Sequence, residues 1–204
     1  LEEKVIDQNV SEILGVITMS LTFKGYKFSD NPPLKENARI AREAAAESMV
    51  LLKNDGKSLP IATGTKLAVF GNNAMELIAG GTGSGDVNKM YSVALNDGLF
   101  RAGYALNTDL YRAYTTYIES EQRKKPKKSA MEELMSPTIP IPELTVSGDD
   151  IQKAAANSEM AIIAIGRNAG EGNDRKEKDD YYLTDKEKSL IELVSGAFRA
   201  QNKK

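Results

Sequence analysis

Hydrophobic positions along the chain follow two patterns, which predict helices and strands respectively. Apolar residues at three- and four-residue spacings predict an amphipathic helix over residues 3–19. Further helices are predicted at 36–53, 92–103, 109–125, 149–157 and 184–200. Between the first two helices, residues 21–36 mix glycine, aromatic residues and a Pro-Pro pair, which is typical of an irregular linker.

Short apolar runs separate the later helices and predict buried strands. The clearest are Lys66–Phe70 and Met160–Ile165, with a weaker one at 104–106. Helices that alternate with all-apolar strands favour an α/β fold with a largely parallel sheet. The helix predicted at 184–200 should lead into another strand, so we expect the sheet to be truncated at the C-terminus.

Composition narrows the chemistry more than it narrows the fold. The 204 residues include no His, Cys or Trp. Ser-His-Asp hydrolysis, a His general base, thiol catalysis and most zinc sites are therefore excluded within this chain. A formal net charge of −2, with no apolar run near the ~18 residues of a membrane span, predicts neither a nucleic-acid nor a membrane partner. The basic run at 123–128 is expected to be a solvated helix end.

The first candidate loop is the glycine-rich segment at 80–88, which follows the first strand. Its spacing differs from the G-x-G-x-x-G dinucleotide motif, and Asp86 stands where a P-loop needs lysine. A nucleotide-binding domain therefore remains only a weak alternative. From the pattern alone, a plain turn and a binding loop are equally supported.

The second candidate loop, residues 166–175, follows the strand at 160–165. Glu171 lies between two glycines, which leave its carboxylate free to project toward a substrate. Arg167, Asp174 and Arg175 place charges around it that could set its proton affinity. The alternative is an ordinary solvated polar loop.

Three motifs together resemble one family. The segment 41–56 with Leu59-Pro60, the glycine loop 81–88, and Gly170-Glu-Gly-Asn-Asp-Arg175 with 180–184 and Glu187 behind it resemble the second domain of glycoside hydrolase family 3. The motifs occur in the family's order. The resemblance implies a three-layer α/β sandwich over 37–204, preceded by a linker at 21–36. Residues 1–20 are similar to the last helix of the family's (β/α)8-like barrel, which is missing here.

The resemblance also implies roles for individual residues. Glu171 matches the general acid/base of a retaining mechanism, whose Asp nucleophile lies in the missing barrel. Ser84, flanked by Gly83 and Gly85, matches a sugar contact. Asp174 and Arg175 are expected to form a loop-holding ion pair, and Asp86 to cap its loop.

We therefore predict part of a retaining β-glucosidase that acts on a β-linked oligosaccharide or glucoside. The partner is the missing barrel, and no cofactor or metal is implied. The chain alone is predicted to be inactive, because it carries one carboxylate of the catalytic pair. The alternative is a non-catalytic carbohydrate-binding or structural module. Family resemblance alone favours a periplasmic or secreted location.

Overall fold

The structure is a computed structural model that describes residues 2–80, 89–126, 140–168 and 176–204. The chain divides into two compact units, Leu1–Asn54 and Asp55–Lys204. The boundary falls in the Asn54-Asp55-Gly56 segment that follows the second predicted helix.

The first unit contains two helices, α1 (Glu3–Met19) and α2 (Leu34–Ser48). Neither helix has a buried residue or a side-chain cap at its N-terminus. The prediction that the second helix reaches residue 53 is wrong, because Met49 is extended. Residues 49–52 are four consecutive apolar side chains, so they do not form the one-sided stripe that stabilises a packed helix.

The second unit is built on a three-stranded parallel sheet. Strands β1 (Lys66–Phe70), β2 (Ala105–Leu106) and β3 (Met160–Ile163) lie in the order β2-β1-β3. Leu67 pairs with Leu106 on one side of β1 and with Met160 on the other. Among its described residues, this unit contains the helices α3 (Asn72–Met75), α4 (Leu95–Arg101), α5 (Thr108–Lys124), α6 (Gly148–Asn157) and α7 (Asp185–Ala200).

Successive residues of β1 enter two separate cores. Ala68 and Phe70 pack with residues of α5, α6 and α7, including Tyr114, Ile151 and Phe198. Leu67 and Val69 face the opposite side, where α3 and α4 cover the sheet. Alternate side chains of a strand point to opposite faces, so a strand that is buried on both must be apolar throughout. This arrangement of helices, sheet and helices confirms the predicted α/β sandwich.

Side-chain caps fix the helix starts on one side of the sheet. Asn107, Ser147 and Thr184 accept backbone N–H groups at the first turns of α5, α6 and α7. By contrast, α4 starts at Leu95 without a side-chain cap, so the expected start at Ser92 is wrong. The pattern also missed α3 and a π-helical turn at Glu177–Tyr181, which are too short to show a period.

The backbone beyond α7 reaches β3 through one hydrogen bond. Ala161 of β3 donates its N–H to the carbonyl oxygen of Lys204 at 2.8 Å. Among the described residues, no helix combines the length and the apolar character needed to span a bilayer.

Candidate functional site

A cleft of about 500 Å³ opens in the second unit at the carboxyl ends of β1 and β3. The chain passes from β1 to β2 on one side and then returns to β3 on the other, so strand order reverses between β1 and β3. Ligand sites of open α/β sheets lie at such a reversal. The segments that follow these two strands line the cleft, together with residues 140–143 and the segment around the start of α7. The lining residues are Asn72, Asn73, Glu76, Leu77, Ile78, Lys125, Pro140, Ile141, Pro142, Glu143, Gly166, Arg167, Asn168, Asp180, Thr184 and Glu187.

Two glycines let the backbone segments of the cleft approach closely. Gly71, directly after β1, has φ +101°, and a Cβ there would lie 2.1 Å from the carbonyl oxygen of Ala164. A Cβ on Gly166 would lie 2.5 Å from Oδ1 of Asn73. The clash at Gly71 is with backbone, so glycine is required where the residue that follows β1 meets Ala164. At Gly166 a side chain would instead force the Asn73 side chain to move.

Asn72 joins the end of β1 to the segment at 141–144. Its amide nitrogen donates to the carbonyl oxygens of Ile141 (3.2 Å) and Pro142 (2.9 Å), and its Oδ1 accepts from Leu144 N–H at 3.4 Å. One side chain thus fixes three successive points of the cleft wall.

Glu143 is the carboxylate of that wall. Its side chain accepts the N–H groups of Asn72 (3.1 Å) and Leu144 (3.2 Å). Burial raises the pKa of Glu143, and these two N–H donors only partly oppose that rise. Burial also raises the pKa of the neighbouring Tyr114, and the Glu143 carboxylate adds to this effect. Glu143 is thus a group that can hold a proton at higher pH than an exposed glutamate.

In the same cleft, Arg167 and Glu187 form a two-pronged ion pair. Arg167 Nη1 lies 2.6 Å from Glu187 Oε1, and Nη2 lies 2.7 Å from Oε2. The pKa of Glu187 lies below its ordinary value, because the hydrogen bonds from Arg167 and Thr184 outweigh the effect of burial. The same pairing raises the pKa of Arg167. Both groups are therefore held in their charged forms.

All seven site residues predicted from the sequence lie outside the described residues: Gly83, Ser84, Gly85, Asp86, Glu171, Asp174 and Arg175. The described chain reaches Gly80 before the first group, and Asn168 before the second. Of the charges predicted around Glu171, Arg167 is described, and its guanidinium is paired with Glu187.

Sequence reasoning missed Asn72 and Glu143. Asn72 lies two residues after the buried strand β1, and that position was the available signal. Glu143 follows a proline-rich stretch that gave no reason to place it beside β1. Among the described residues, no group of three or more acidic side chains is arranged to hold a metal ion.

Comparison with known proteins places these features in a family. The sequence profile of the glycosyl hydrolase family 3 C-terminal domain matches residues 49–203. Beta-glucosidase A of Butyrivibrio fibrisolvens is 33% identical over 84% of this chain and 24% of that protein. A beta-glucosidase of Ruminococcus albus is 35% identical over 78% of this chain and 16% of its own length.

Solved structures agree with the sequence matches. β-Glucosidase 3B from Thermotoga neapolitana, determined in complex with α-D-glucose, matches with a TM-score of 0.87 and 38% identity. That match covers 100% of this chain and 28% of the other. A β-glucosidase from Paenibacillus barengoltzii matches 84% of this chain with a TM-score of 0.74 and 32% identity. The chain spans less than a third of the length of the relatives it matches, and through its C-terminal domain it belongs to glycosyl hydrolase family 3.

Proposed function

We propose that this chain is the part of a retaining β-glucosidase that supplies the general acid/base and a sugar-binding glycine loop. The observation that carries the proposal is the family membership together with the position of the cleft. Residues that follow β1 and β3 line this cleft, and the segments with Ser84 and Glu171 come later along the same two connections.

In the proposed mechanism, Glu171 protonates the glycosidic oxygen as the bond to the anomeric carbon breaks. An Asp from a barrel that this chain does not contain attacks that carbon and forms a glycosyl–enzyme ester. Glu171 then removes a proton from the water that hydrolyses the ester. In retaining enzymes the two carboxylates lie about 5–5.5 Å apart, so the barrel must place its Asp next to Glu171 for the full reaction cycle.

The glycine loop would hold the sugar. Ser84 would share a hydrogen bond with a sugar hydroxyl, while Gly83 and Gly85 leave room for the ring. Asp86 would cap this loop, and Asp174 with Arg175 would hold the loop that carries Glu171. A Ser84→Ala change should lower kcat/KM about tenfold, which corresponds to one hydrogen bond.

Helix α1 fits the proposed barrel partner. Its apolar side chains Ile6, Val10, Ile13, Leu14 and Ile17 are all exposed within the first unit. We propose that this face packs against the barrel in the complete enzyme.

A chimera tests the proposal. The portion of Thermotoga neapolitana β-glucosidase 3B that matches this chain is replaced by the 204 residues. The chimera should hydrolyse aryl β-glucosides, whereas the isolated chain should not. Turnover by the pure isolated chain would contradict the claim that it carries half of the catalytic pair.

Glu171→Gln in the chimera tests the acid role. The expected loss in kcat/KM is about 10²–10⁴-fold for a glucoside whose leaving group needs protonation, such as cellobiose. It should be much smaller for 2,4-dinitrophenyl β-glucoside, which leaves without a proton. Equal losses on both substrates would show that Glu171 is not the acid. Calorimetry of the isolated chain with glucose and with ATP separates the sugar-binding alternative from a nucleotide-binding domain.

A further inference from the structure

The Arg167–Glu187 pair connects three points of the chain. Besides both carboxylate oxygens of Glu187, the guanidinium donates to the carbonyl oxygens of Gly166 at 2.8 Å and Tyr182 at 3.3 Å. Gly166 lies shortly after β3, and Tyr182 lies shortly before α7. A single side chain therefore ties the two ends of the β3–α7 connection to each other and to the first turn of α7.

The pair lies largely out of water. The exposed fractions of the two side chains are 25% for Arg167 and 9% for Glu187. Glu187 also accepts the N–H of Thr184 at 2.8 Å in a capping box, so its carboxylate is fixed from two directions. Two parallel N–H···O bonds set the angle between the groups as well as their distance.

Stability alone is a weak explanation for this arrangement. Moving two charges out of water costs about as much as their attraction returns, so a buried pair adds little net stability. The capping box of α7 needs Thr184 and a carboxylate or amide at position 187, but it does not need an arginine. What the arginine adds is a fixed geometry for the ends of the connection.

A fixed geometry is what an acid catalyst requires. Glu171 follows Arg167 by four positions on this connection. A misplacement of about 1 Å at a reacting group lowers the rate about 10²-fold. Constraining both ends of a segment limits the positions that its interior can sample.

We propose that Arg167 and Glu187 are positioning residues that hold the general acid Glu171 at the distance and angle for proton transfer to the leaving group. This inference rests on the proposed function, since it requires Glu171 to be the acid. The two-pronged geometry is the essential property, so charge alone at either position is insufficient.

Arg167→Lys in the chimera is the main test, because it keeps the positive charge and removes the planar fork. We expect kcat/KM for cellobiose to fall about 10- to 100-fold. The value for 2,4-dinitrophenyl β-glucoside should fall less than about threefold, because the parameter then reports bond cleavage without protonation. Glu187→Gln, which keeps an oxygen for Thr184, should show the same difference between substrates.

Two controls separate positioning from general destabilisation. Val194→Ala removes a buried side chain of α7 and should lower thermal stability without favouring either substrate. Lys153→Met breaks the exposed pair with Asp150 and should change neither activity nor stability. Thermal unfolding of all variants shows whether the loss of kcat/KM follows the loss of thermal stability.

The outcomes are distinct. If Glu171→Gln discriminates between the substrates but Arg167→Lys and Glu187→Gln do not, the positioning role is overturned and the proposed function stands. If Arg167→Lys and Glu187→Gln lower kcat/KM equally for both substrates, the positioning role is also overturned and the proposed function stands. If Glu171→Gln itself does not discriminate, the proposed function fails, and the positioning role fails with it.

Discussion

The two units of the chain use similar amphipathic helices in different ways. Helices α1 and α2 of the first unit, described in full, bury none of their residues within it. Helices α5 and α7 of the second unit each bury an apolar stripe. That of α5 includes Tyr114, and that of α7 includes Val194 and Phe198. Both units therefore contain helices with an apolar face, but only the second unit covers those faces with its own sheet.

The difference shows what a periodic pattern specifies. Spacing of three and four residues determines that a helix has an apolar face, and it does not determine what covers that face. In the second unit the covering surface is the sheet, whose strands are apolar on both sides. The stability of that unit should therefore depend on its core side chains, whereas equivalent changes in the first unit should have small effects.

Core truncation should give the largest contrast. Phe198 is 1% exposed and meets Phe70 edge to face, with ring centroids 6.5 Å apart. Phe198→Ala should lower the free energy of unfolding by about 3–5 kcal/mol. The matched change Leu14→Ala, at a site 53% exposed in α1, should alter it by less than about 0.5 kcal/mol. Urea unfolding followed by far-UV circular dichroism measures both. Similar losses would mean that the exposed face of α1 is covered in the isolated chain.

Glycine substitutions should give a smaller contrast between the units. Gly71 and Gly25 both have positive φ, at +101° and +71°. A Cβ on Gly71 would also strike Ala164, whereas one on Gly25 has no neighbour within 4 Å. Gly25→Ala should cost about 1–2 kcal/mol for the backbone conformation. Gly71→Ala should cost about 1–3 kcal/mol more for the clash. Thermal melts of the two variants make the comparison, and equal shifts would show that the close approach after β1 relaxes freely.

Titration of two carboxylates should give the smallest and sharpest contrast. The pKa values of Glu36 and Glu187 are both lowered by an arginine, Arg39 and Arg167 respectively. Glu36 is exposed, so added salt should return its pKa toward the ordinary value, while Glu187 should change little. Carbon-detected NMR titration at low and high salt measures both values.

The same titration has a consequence for stability. The pKa of Glu187 is lower in the folded protein than its ordinary value of 4.5. The stability that it contributes is therefore complete above about pH 4.5 and is lost as the pH falls through the folded value. The raised pKa of Glu143 acts in the opposite direction, because its contribution is complete at low pH and is lost as the pH rises. If Glu187→Gln left the fall in the free energy of unfolding below about pH 4.5 unchanged, this account of Glu187 would be wrong.

The sequence predicted the architecture well, since local patterns determine most of it. Leu67, Ala68, Val69 and Phe70 of β1 are apolar because both faces of the strand are covered, and that run is visible without a structure. The helices that begin after Ser147 and Thr184 each have a capping side chain at that position, and the sequence predicts these starts within a residue or two. The early end of α2 was missed because all of Met49–Leu52 are apolar, and such a run suits a helix or a strand equally.

The cleft could be predicted only in part. Residues shortly after strands, such as Arg167, are recognisable as candidates from their position. Glu143 is not, because its role depends on contact with Asn72, which lies 71 residues away. The raised pKa of Glu143 comes from its burial, which the N–H of Asn72 only partly opposes. Burial of a polar residue directly after a proline-rich stretch leaves no periodic pattern in the sequence.

Asn72 has a consequence for the order in which the molecule folds. Its side chain bonds residues 69 and 70 positions further along the chain, and Glu159 bonds Lys66 across 93 positions. Helices form within local stretches, but contacts of such long range require a large loop to close first. The cleft should therefore be among the last parts to form, after the strands around it have paired. Hydrogen exchange during refolding should accordingly protect the amides of α5 and α7 before the N–H of Leu144.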